Sequence, residues 1–199
     1  MNASNYHRIM TQPFPAPVRA CCGGASAPKA DQAPAERPAP IDGRFDLIDH
    51  SGRSVTERSF GDRYLLIFFG FTHCAVVCPR ELRKLGAALE RLGPLAERIQ
   101  PLYITVDPSR DDPEAMRAYV ARYPGGFTGL TGTSEQVSAA KKAFRVFAEP
   151  AADPCAPGGY VVPHTAIAYL MAPGGRYRTH LPDALDVDAV VERLRQQIV

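Results

Sequence analysis

Residues 64–82 read Tyr64-Leu-Leu-Ile-Phe-Phe-Gly-Phe-Thr-His-Cys74-Ala-Val-Val-Cys78-Pro79-Arg-Glu-Leu82, and they combine a strand, a turn with two cysteines and the start of a helix. The apolar run over 64–69, ended by a glycine, predicts a fully buried parallel strand. Pro79 suits the first position of a helix, because its missing N–H would be unpaired there in any case. The pattern therefore places Cys78 at the helix start and Cys74 in the preceding turn.

Two thiols at the start of a helix are chemically activated. A helix N-terminus carries partial positive charge, which favours thiolate over thiol. Two such thiols held close together can form a disulfide or bind a soft metal ion. The sequence leaves the choice between these two chemistries as its main question.

The composition is that of an ordinary globular protein. The chain has 199 residues, enough for one domain with a core and a tail, and its 45% hydrophobic and 22% charged residues are typical values. A net charge of +2 without a basic run argues against nucleic acid as a partner. No stretch approaches about 18 consecutive apolar residues, so no membrane span is expected in this chain. The polar residues 1–10 lack the apolar core of a secretory signal.

The first 42 residues differ in composition from the rest. They are rich in Pro and Ala, as in Ala33-Pro-Ala-Glu-Arg-Pro-Ala-Pro40, and such a segment buries little apolar surface. We therefore expect a flexible N-terminal tail over 1–42 and one folded domain over 43–199. Five cysteines are too few for a disulfide scaffold. The adjacent Cys21 and Cys22 are interpreted as incidental thiols rather than as a lipid-attachment site, because no apolar stretch precedes them.

Strand and helix patterns alternate along the remainder of the chain. Alternating or continuous apolar runs predict strands over 44–49, 64–69, 102–106, 127–130, 164–171 and 176–180. Helical spacing and capping residues predict helices over 79–98, 113–123, 134–144 and 187–198. This alternation is typical of a central, mostly parallel sheet flanked by helices, and Pro173-Gly-Gly175 predicts an antiparallel β-hairpin. With a dithiol at a strand-to-helix turn, this α/β layout is thioredoxin-like.

Four motif segments occur in order within residues 43–199. They are Gly70-Phe-Thr-His-Cys-Ala-Val-Val-Cys-Pro79, Val106-Asp-Pro-Ser-Arg-Asp-Asp-Pro-Glu114, Phe127-Thr-Gly-Leu-Thr-Gly132 and Tyr160-Val-Val-Pro-His-Thr-Ala-Ile-Ala-Tyr-Leu170. Together they resemble the Sco/SenC family of copper chaperones, which act in cytochrome c oxidase assembly. A C-x-x-x-C motif alone would be a weak signal, whereas the joint pattern is specific.

The resemblance implies a copper site with Cys74, Cys78 and His164 as its ligands. Thiolate and imidazole suit copper, and thiolates in particular favour Cu(I), so the residue types agree with Cu(I) or Cu(II) as the cofactor. Two sulfurs and one nitrogen leave the ion open to exchange with a partner. Zinc is a weaker candidate, because structural zinc sites use four closed ligands.

Two further residues belong to the expected surroundings of the site. His73 adjoins Cys74 and lies within the family motif but outside its metal site, so we expect it to tune the thiol or to pack. The family places an acidic group close to the metal at the position of Asp107. An Asp before Pro also commonly forms a turn, so both interpretations of Asp107 stay open.

The chain departs from the family pattern between the two cysteines. The family usually has Pro and Asp there, whereas this chain has Ala75 and Val76, which removes a charge and a hydrogen-bond acceptor beside the site. Metal affinity or partner recognition is therefore expected to differ. Cys155 lies in the loop before His164 and could approach the site, but a surface thiol without a role is the favoured interpretation.

By resemblance, the expected function is that of a copper metallochaperone. It would deliver copper to the dinuclear site in the copper-bearing subunit of cytochrome c oxidase, or to another cuproprotein, in the periplasm or at the inner membrane. The alternative is a thiol-disulfide reductase that keeps the recipient's cysteines reduced, with Cys74 and Cys78 as the redox-active pair. The three-residue spacer argues mildly against this alternative, because thioredoxin-type enzymes use C-x-x-C.

Overall fold

A seven-stranded mixed sheet forms the centre of the structure, a computed structural model that describes residues 41–198. The strands are β1 (Asp46–Asp49), β2 (Ser54–Thr56), β3 (Tyr64–Gly70), β4 (Ile99–Thr105), β5 (Thr128–Thr131), β6 (Ala151–Ala152), β7 (Tyr160–Val161), β8 (Ile167–Ala172) and β9 (Arg176–Pro182). The helices are α1 (Val77–Leu92), α2 (Pro113–Val120), α3 (Ser134–Phe144) and α4 (Val187–Gln197). The strand order across the sheet is β2-β1-β5-β4-β3-β8-β9, and β6 pairs with β7 in a separate ribbon.

The predicted α/β class is confirmed, with a parallel centre in the sheet. β3 pairs with β4 in parallel, and β4 pairs with β5 in parallel. Antiparallel strands flank this centre, because the β1–β2 hairpin adjoins β5 and the β8–β9 hairpin adjoins β3. The predicted hairpin at the end of the chain therefore forms one edge of the sheet.

Strand β3 is buried along its whole length, as its apolar sequence predicts. Successive side chains of a strand point to opposite faces, so the two faces of β3 meet different helices. Phe68 packs in the same core cluster as Leu82 of α1. Phe69 packs on the other face against Phe144 of α3, with 5.3 Å between the ring centroids. These two packed layers fix the end of β3, where the turn with the two cysteines begins.

Helix α1 has different bounds from those that the sequence predicts. It begins at Val77, before Pro79, and ends at Leu92 instead of continuing to residue 98. Gly93 has a φ of 60°, a conformation that favours glycine, and the chain continues as a 3-10 helix over Gly93–Arg98. Cys78 therefore lies inside the first turn of α1.

The remaining helices begin where their capping residues predict. The side chain of Asp112 accepts a hydrogen bond from the N–H of Ala115 at the start of α2, and Thr133 caps α3 through Gln136. Asp186 caps α4 in the same way. Side-chain capping signals are local in sequence, which is why these starts could be predicted.

Strand β8 starts later than the sequence predicts. Its first residue is Ile167, whereas the apolar pattern begins at His164. His164 instead forms an isolated antiparallel bridge with Ala148. The histidine is therefore carried by the segment between β7 and β8.

Most of the tail predicted over 1–42, with Cys21 and Cys22, lies outside the described residues. The first described residues contact the folded domain, since the N–H of Asp42 donates to the carbonyl oxygen of Ala143 at 3.1 Å and Ile41 packs against a core cluster. No helix within residues 41–198 is both long and apolar enough to cross a membrane.

Candidate functional site

The dithiol turn, residues 71–78, connects β3 to α1. Phe71 is buried at its start. Gly70 allows Cys78 to pack against the sheet, because a Cβ atom at residue 70 would lie 2.6 Å from Cys78 Sγ and 2.5 Å from Tyr103 Oη. A glycine at the end of β3 thus permits the close approach of the second thiol.

The two thiols of this turn differ in exposure and in pKa. Cys78 is fully buried, whereas Cys74 is partly exposed. A hydrogen bond from the Cys78 thiol is the largest cause that lowers the pKa of Cys74, which falls to about 5. The backbone N–H of Cys78 also donates to Cys74 Sγ, at 3.4 Å. The contact with Cys74, followed by burial, raises the pKa of Cys78. At neutral pH the pair is therefore a thiolate on Cys74 and a thiol on Cys78.

His164 faces the buried thiol. Its Nε2 atom lies 3.6 Å from Cys78 Sγ. Its Nδ1 atom lies 2.8 Å from the carbonyl oxygen of Val162. A carbonyl oxygen can only accept a hydrogen bond, so Nδ1 carries the proton in the neutral ring and Nε2 has a lone pair directed at the dithiol. The ring of Phe71 packs edge-on against the imidazole of His164, with 5.7 Å between the ring centroids, and this contact holds the orientation of the imidazole.

The donor atoms of Cys74, Cys78 and His164 suit a soft metal ion. In protein zinc sites the metal–sulfur and metal–nitrogen bonds are about 2.3 Å and 2.0 Å long, so a sulfur and a nitrogen that share one ion lie within about 4.3 Å of each other. The observed separation between Cys78 Sγ and His164 Nε2 is 3.6 Å. Among residues 41–198, no group of three or more His, Cys, Asp or Glu side chains is already arranged so that it could hold a metal ion. The site is therefore an open set of donors, in which a bound ion would set the final spacing.

His73 has its own polar partners. Its Nδ1 atom lies 3.0 Å from Thr72 Oγ1 and 3.9 Å from Asp111 Oδ1. The buried carboxylate of Asp111 accepts hydrogen bonds from the N–H and the hydroxyl of Thr72, at 3.1 Å and 2.6 Å, and from the hydroxyl of Thr105 at 2.6 Å. Burial raises the pKa of Asp111 in spite of these bonds. The network anchors the start of the dithiol turn to β4.

Asp107 makes its hydrogen bonds to Tyr160 and Arg110. The hydroxyl of Tyr160 lies 3.0 Å and 3.1 Å from the two carboxylate oxygens. The Nε–H of Arg110 donates to Asp107 Oδ2 at 2.5 Å. Asp107 is therefore joined to the strand that precedes His164, and its expected proximity to a metal stays a prediction.

A cavity of about 560 Å³ opens beside the dithiol turn. Its lining includes Cys74, His164 and Val76, and the side chain of Val76 is 66% exposed. Cys155 lines the same cavity and is exposed, so the loop does bring this thiol to the mouth of the site. The cavity gives a partner molecule access to the thiolate and the imidazole.

Sequence reasoning missed Arg110, Asp111 and Tyr160 as residues of the site. All three lie inside the motif segments that carry the resemblance. Arg110 and Asp111 follow closely after Asp107 in the sequence, and Tyr160 lies four residues before His164. Their contacts join segments that are 39 to 53 residues apart in the sequence, so no local sequence pattern indicates them.

These features define a class of protein: a thioredoxin-like α/β domain with an activated thiol, Cys74, beside a buried thiol, Cys78, at the β3–α1 turn, and an imidazole facing the buried thiol. The family model described as SCO1/SenC matches residues 33–199. The chain belongs to the SCO1/SenC family.

Two curated relatives illustrate the similarity. The mitochondrial SCO2 homolog of Danio rerio is 38% identical over 158 residues, which are 78% of this chain and 56% of the relative. The mitochondrial SCO1 homolog of Mus musculus is 42% identical over 139 residues, which are 69% of this chain and 49% of the relative. The chain thus spans about half the length of these relatives.

Solved structures share the fold. The crystal structure of Arabidopsis thaliana ScoI with copper bound has a TM-score of 0.75 and 31% identity, covering 79% of this chain and 98% of that one. The crystal structure of yeast Sco1 with copper bound has a TM-score of 0.72 and 34% identity, covering 80% of this chain and 88% of that one. The predicted thioredoxin-like fold is confirmed.

Proposed function

We propose that this protein is a copper metallochaperone that holds Cu(I) or Cu(II) with Cys74, Cys78 and His164. The observation that carries the proposal is the imidazole Nε2 atom 3.6 Å from the sulfur of Cys78 in a dithiol turn. The copper-bound crystal structures of ScoI and Sco1, which share the fold, support the choice of metal. Thiolate sulfur favours Cu(I), and an added imidazole nitrogen also suits Cu(II).

The electrostatics of the pair support metal uptake at neutral pH. Cys74, with its pKa lowered to about 5, already carries the negative charge that a ligand needs. Cys78 holds a proton that it must release when a metal ion binds. In the neutral ring of His164, Nδ1–H donates to the carbonyl oxygen of Val162, so Nε2 is the nitrogen available to a metal ion. Uptake of one ion should therefore release about one proton at neutral pH.

The open side of the site supports delivery rather than permanent storage. Cys74 and His164 line the cavity, whereas Cys78 is buried behind them. A recipient can therefore replace the exposed ligands in turn. We propose the dinuclear copper site of cytochrome c oxidase, or another cuproprotein, as the recipient, and the periplasm or the inner membrane surface as the location. The role in cytochrome c oxidase assembly that the sequence resemblance implies is the support for this recipient and this location.

Anaerobic titration of the reduced full chain with Cu(I) in the presence of a competing chelator tests the proposal. We expect one ion per chain at this site, and we expect Cys74→Ser and Cys78→Ser to lose tight binding there, because the single sulfur that the site then keeps cannot compete with a chelator. Cys155→Ser serves as the matched control and should bind like the parent. Unchanged affinity in both site variants would exclude the copper site.

A thiol-disulfide reductase is the second candidate. The observation that favours it is the asymmetry of the pair: Cys74 is a partly exposed thiolate, and Cys78 is a buried thiol in contact with it. Cys74 would attack a recipient's disulfide, and Cys78 would resolve the mixed disulfide, leaving the recipient reduced and the pair oxidised. His164 separates the two functions, because this exchange uses only the two sulfurs.

A further inference from the structure

The connection between β4 and α2, residues 106–112, contacts both segments that carry the proposed ligands. At one end, the Asp111 carboxylate binds the N–H and hydroxyl of Thr72, two residues before Cys74. At the other end, the Asp107 carboxylate accepts the hydroxyl hydrogen bond of Tyr160, four residues before His164. One loop therefore ties the dithiol turn to the segment that presents the imidazole.

Arg110 strengthens the second of these ties. Its guanidinium carbon lies 3.7 Å from the centroid of the Tyr160 ring. Its Nη1–H donates to the carbonyl oxygen of Tyr160 at 3.2 Å, and its Nε–H donates to Asp107 at 2.5 Å. The planar guanidinium of Arg110 thus contacts the ring of Tyr160, the backbone of Tyr160 and the carboxylate of Asp107, which accepts the Tyr160 hydroxyl hydrogen bond. These three residues, Asp107, Arg110 and Tyr160, are called the Tyr160 clasp below.

The clasp acts on His164 through a short path. From Tyr160, strand β7 leads to Val162, which is buried and whose carbonyl oxygen binds His164 Nδ1 at 2.8 Å. The loop before Tyr160 is exposed over most of its length, and its β6–β7 ladder is only two residue pairs long. On its other side, the segment is held by the bridge between His164 and Ala148 and by backbone hydrogen bonds from Glu149 to Pro163 and from Thr165 to Phe147. The clasp therefore holds the end of the segment that leads to Val162, and these backbone contacts hold the end that follows His164.

We propose that Asp107, Arg110 and Tyr160 are positioning residues that hold His164 over the dithiol and that opening of this clasp lets the imidazole swing away. The part of this inference that concerns copper rests on the proposed function. The part that concerns the position of His164 holds for the metal-free protein as well. Opening the clasp removes one of three ligands and leaves the ion on two sulfurs, so it favours transfer to a recipient.

A direct electrostatic effect of Asp107 on a bound ion is the competing explanation. It requires the charge of Asp107 but not the hydroxyl of Tyr160. Tyr160→Phe removes that hydroxyl and keeps the ring that packs on Arg110. Asp107→Asn removes the charge and keeps an oxygen that can accept the hydroxyl hydrogen bond. Asp107→Asn also weakens the ion pair with Arg110. Tyr160→Phe therefore separates the two explanations, because it breaks the clasp and leaves the charge of Asp107 in place.

The first experiment uses the reduced, metal-free full chain and follows amide hydrogen exchange over residues 160–165. We expect exchange in Tyr160→Phe to be about tenfold faster than in the parent, because a hydrogen bond to a charged acceptor is lost. Tyr177→Phe is the matched control, since its hydroxyl lies 2.7 Å from His180 Nδ1 on β9, outside the clasp. Exchange over 160–165 should not change in the control.

The second experiment loads the same proteins with Cu(II) and records nitrogen hyperfine coupling and the rate of copper loss to a chelator. For Tyr160→Phe we expect weakened nitrogen coupling and copper loss about tenfold faster, with a thermal midpoint close to that of the parent. Arg110→Lys keeps the charge but loses the planar contact with Tyr160. It should also weaken the nitrogen coupling and speed up the loss of copper.

Unchanged exchange and unchanged nitrogen coupling in both Tyr160→Phe and Arg110→Lys would overturn the clasp. So would a loss of copper affinity confined to Asp107→Asn, which would assign Asp107 a direct electrostatic role. Failure of the parent to bind copper would instead refute the proposed function. The exchange measurement on the metal-free chain would still decide whether the clasp positions His164.

Discussion

Cys74 and Cys78 have different chemical states chiefly because the Cys78 thiol donates a hydrogen bond that stabilises the thiolate of Cys74. The contact with Cys74, followed by burial, raises the pKa of Cys78 and keeps it protonated, while the Cys78 thiol and the backbone N–H groups of the dithiol turn hold a negative charge on Cys74. His164 adds a nitrogen lone pair at 3.6 Å from Cys78 Sγ. At this scale the site offers a thiolate on Cys74, a thiol on Cys78 that must lose its proton, and the Nε2 atom of His164 facing that thiol.

The low pKa of Cys74 predicts an unusual pH dependence of alkylation. In the reduced, metal-free protein, the rate at Cys74 should rise through a midpoint near pH 5 and stay level up to neutral pH, since the thiolate is the reactive form. In Cys78→Ala the main donor to the thiolate is gone, so the midpoint should move up towards the ordinary cysteine value. Iodoacetamide labelling, followed peptide by peptide with mass spectrometry, measures the alkylation midpoint of Cys74 in the parent and in Cys78→Ala. A parent rate that is still rising steeply above pH 7 would contradict the assignment.

The same shift affects folding stability. The folded pKa of Cys74 lies below its ordinary value of 9.0, so its contribution is fully present above that value and is lost as pH falls through about 5. The free energy of unfolding of the metal-free parent, measured by urea denaturation, should therefore fall between pH 8 and pH 5 by more than that of Cys74→Ser. Equal slopes in the two proteins would show that Cys74 is not a stabilised thiolate.

At the scale of secondary structure, β3 and α1 position the two thiols. Gly70, the last residue of β3, leaves the space that Cys78 of α1 occupies. Gly70→Ala would put a methyl group 2.6 Å from Cys78 Sγ and 2.5 Å from Tyr103 Oη. We expect a loss of about 1–3 kcal/mol in the free energy of unfolding, as for other overpacked core sites. The displaced Cys78 should also release Cys74, so that the pKa of Cys74 rises. Chemical denaturation and alkylation measure these two effects, and a parent-like variant in both would refute the close packing at Gly70.

Strands and helices could be predicted where the sequence pattern that specifies them is local. The buried strand β3 and the capped starts of α2, α3 and α4 follow from apolar runs and from single capping residues. The end of α1 at Leu92 was missed, because the apolar spacing continues past the glycine that ends the helix. The start of β8 was missed because His164 bridges to Ala148, a contact that depends on the tertiary fold. The ligand set itself came from the resemblance, and the Tyr160 clasp could not be predicted from local patterns.

At the scale of the whole chain, the described domain begins to make contacts before residue 43. Ile41 packs against the core, and Asp42 donates to Ala143. Removal of residues 1–40 should leave the thermal midpoint unchanged, because a Pro/Ala-rich segment buries little surface. Removal of residues 1–42 should lower it slightly through loss of these two contacts. Calorimetry compares the two proteins, and a drop of more than about 4 °C in the first would show that the tail stabilises the domain.

Copper binding and disulfide reduction share the two sulfurs, so a comparison of His164→Ala with the parent separates them. Anaerobic copper titration should show an affinity loss of roughly a hundredfold or more, largest for Cu(II), because one of three ligands is removed. Disulfide reduction should stay within about tenfold of the parent, since the exchange needs only the thiols. His180→Ala is the control: His180 lies on β9, where it is hydrogen-bonded to Tyr177, and this variant should bind copper like the parent. If His164→Ala binds copper like the parent and reduces disulfides efficiently, the metallochaperone account is wrong and the reductase takes its place.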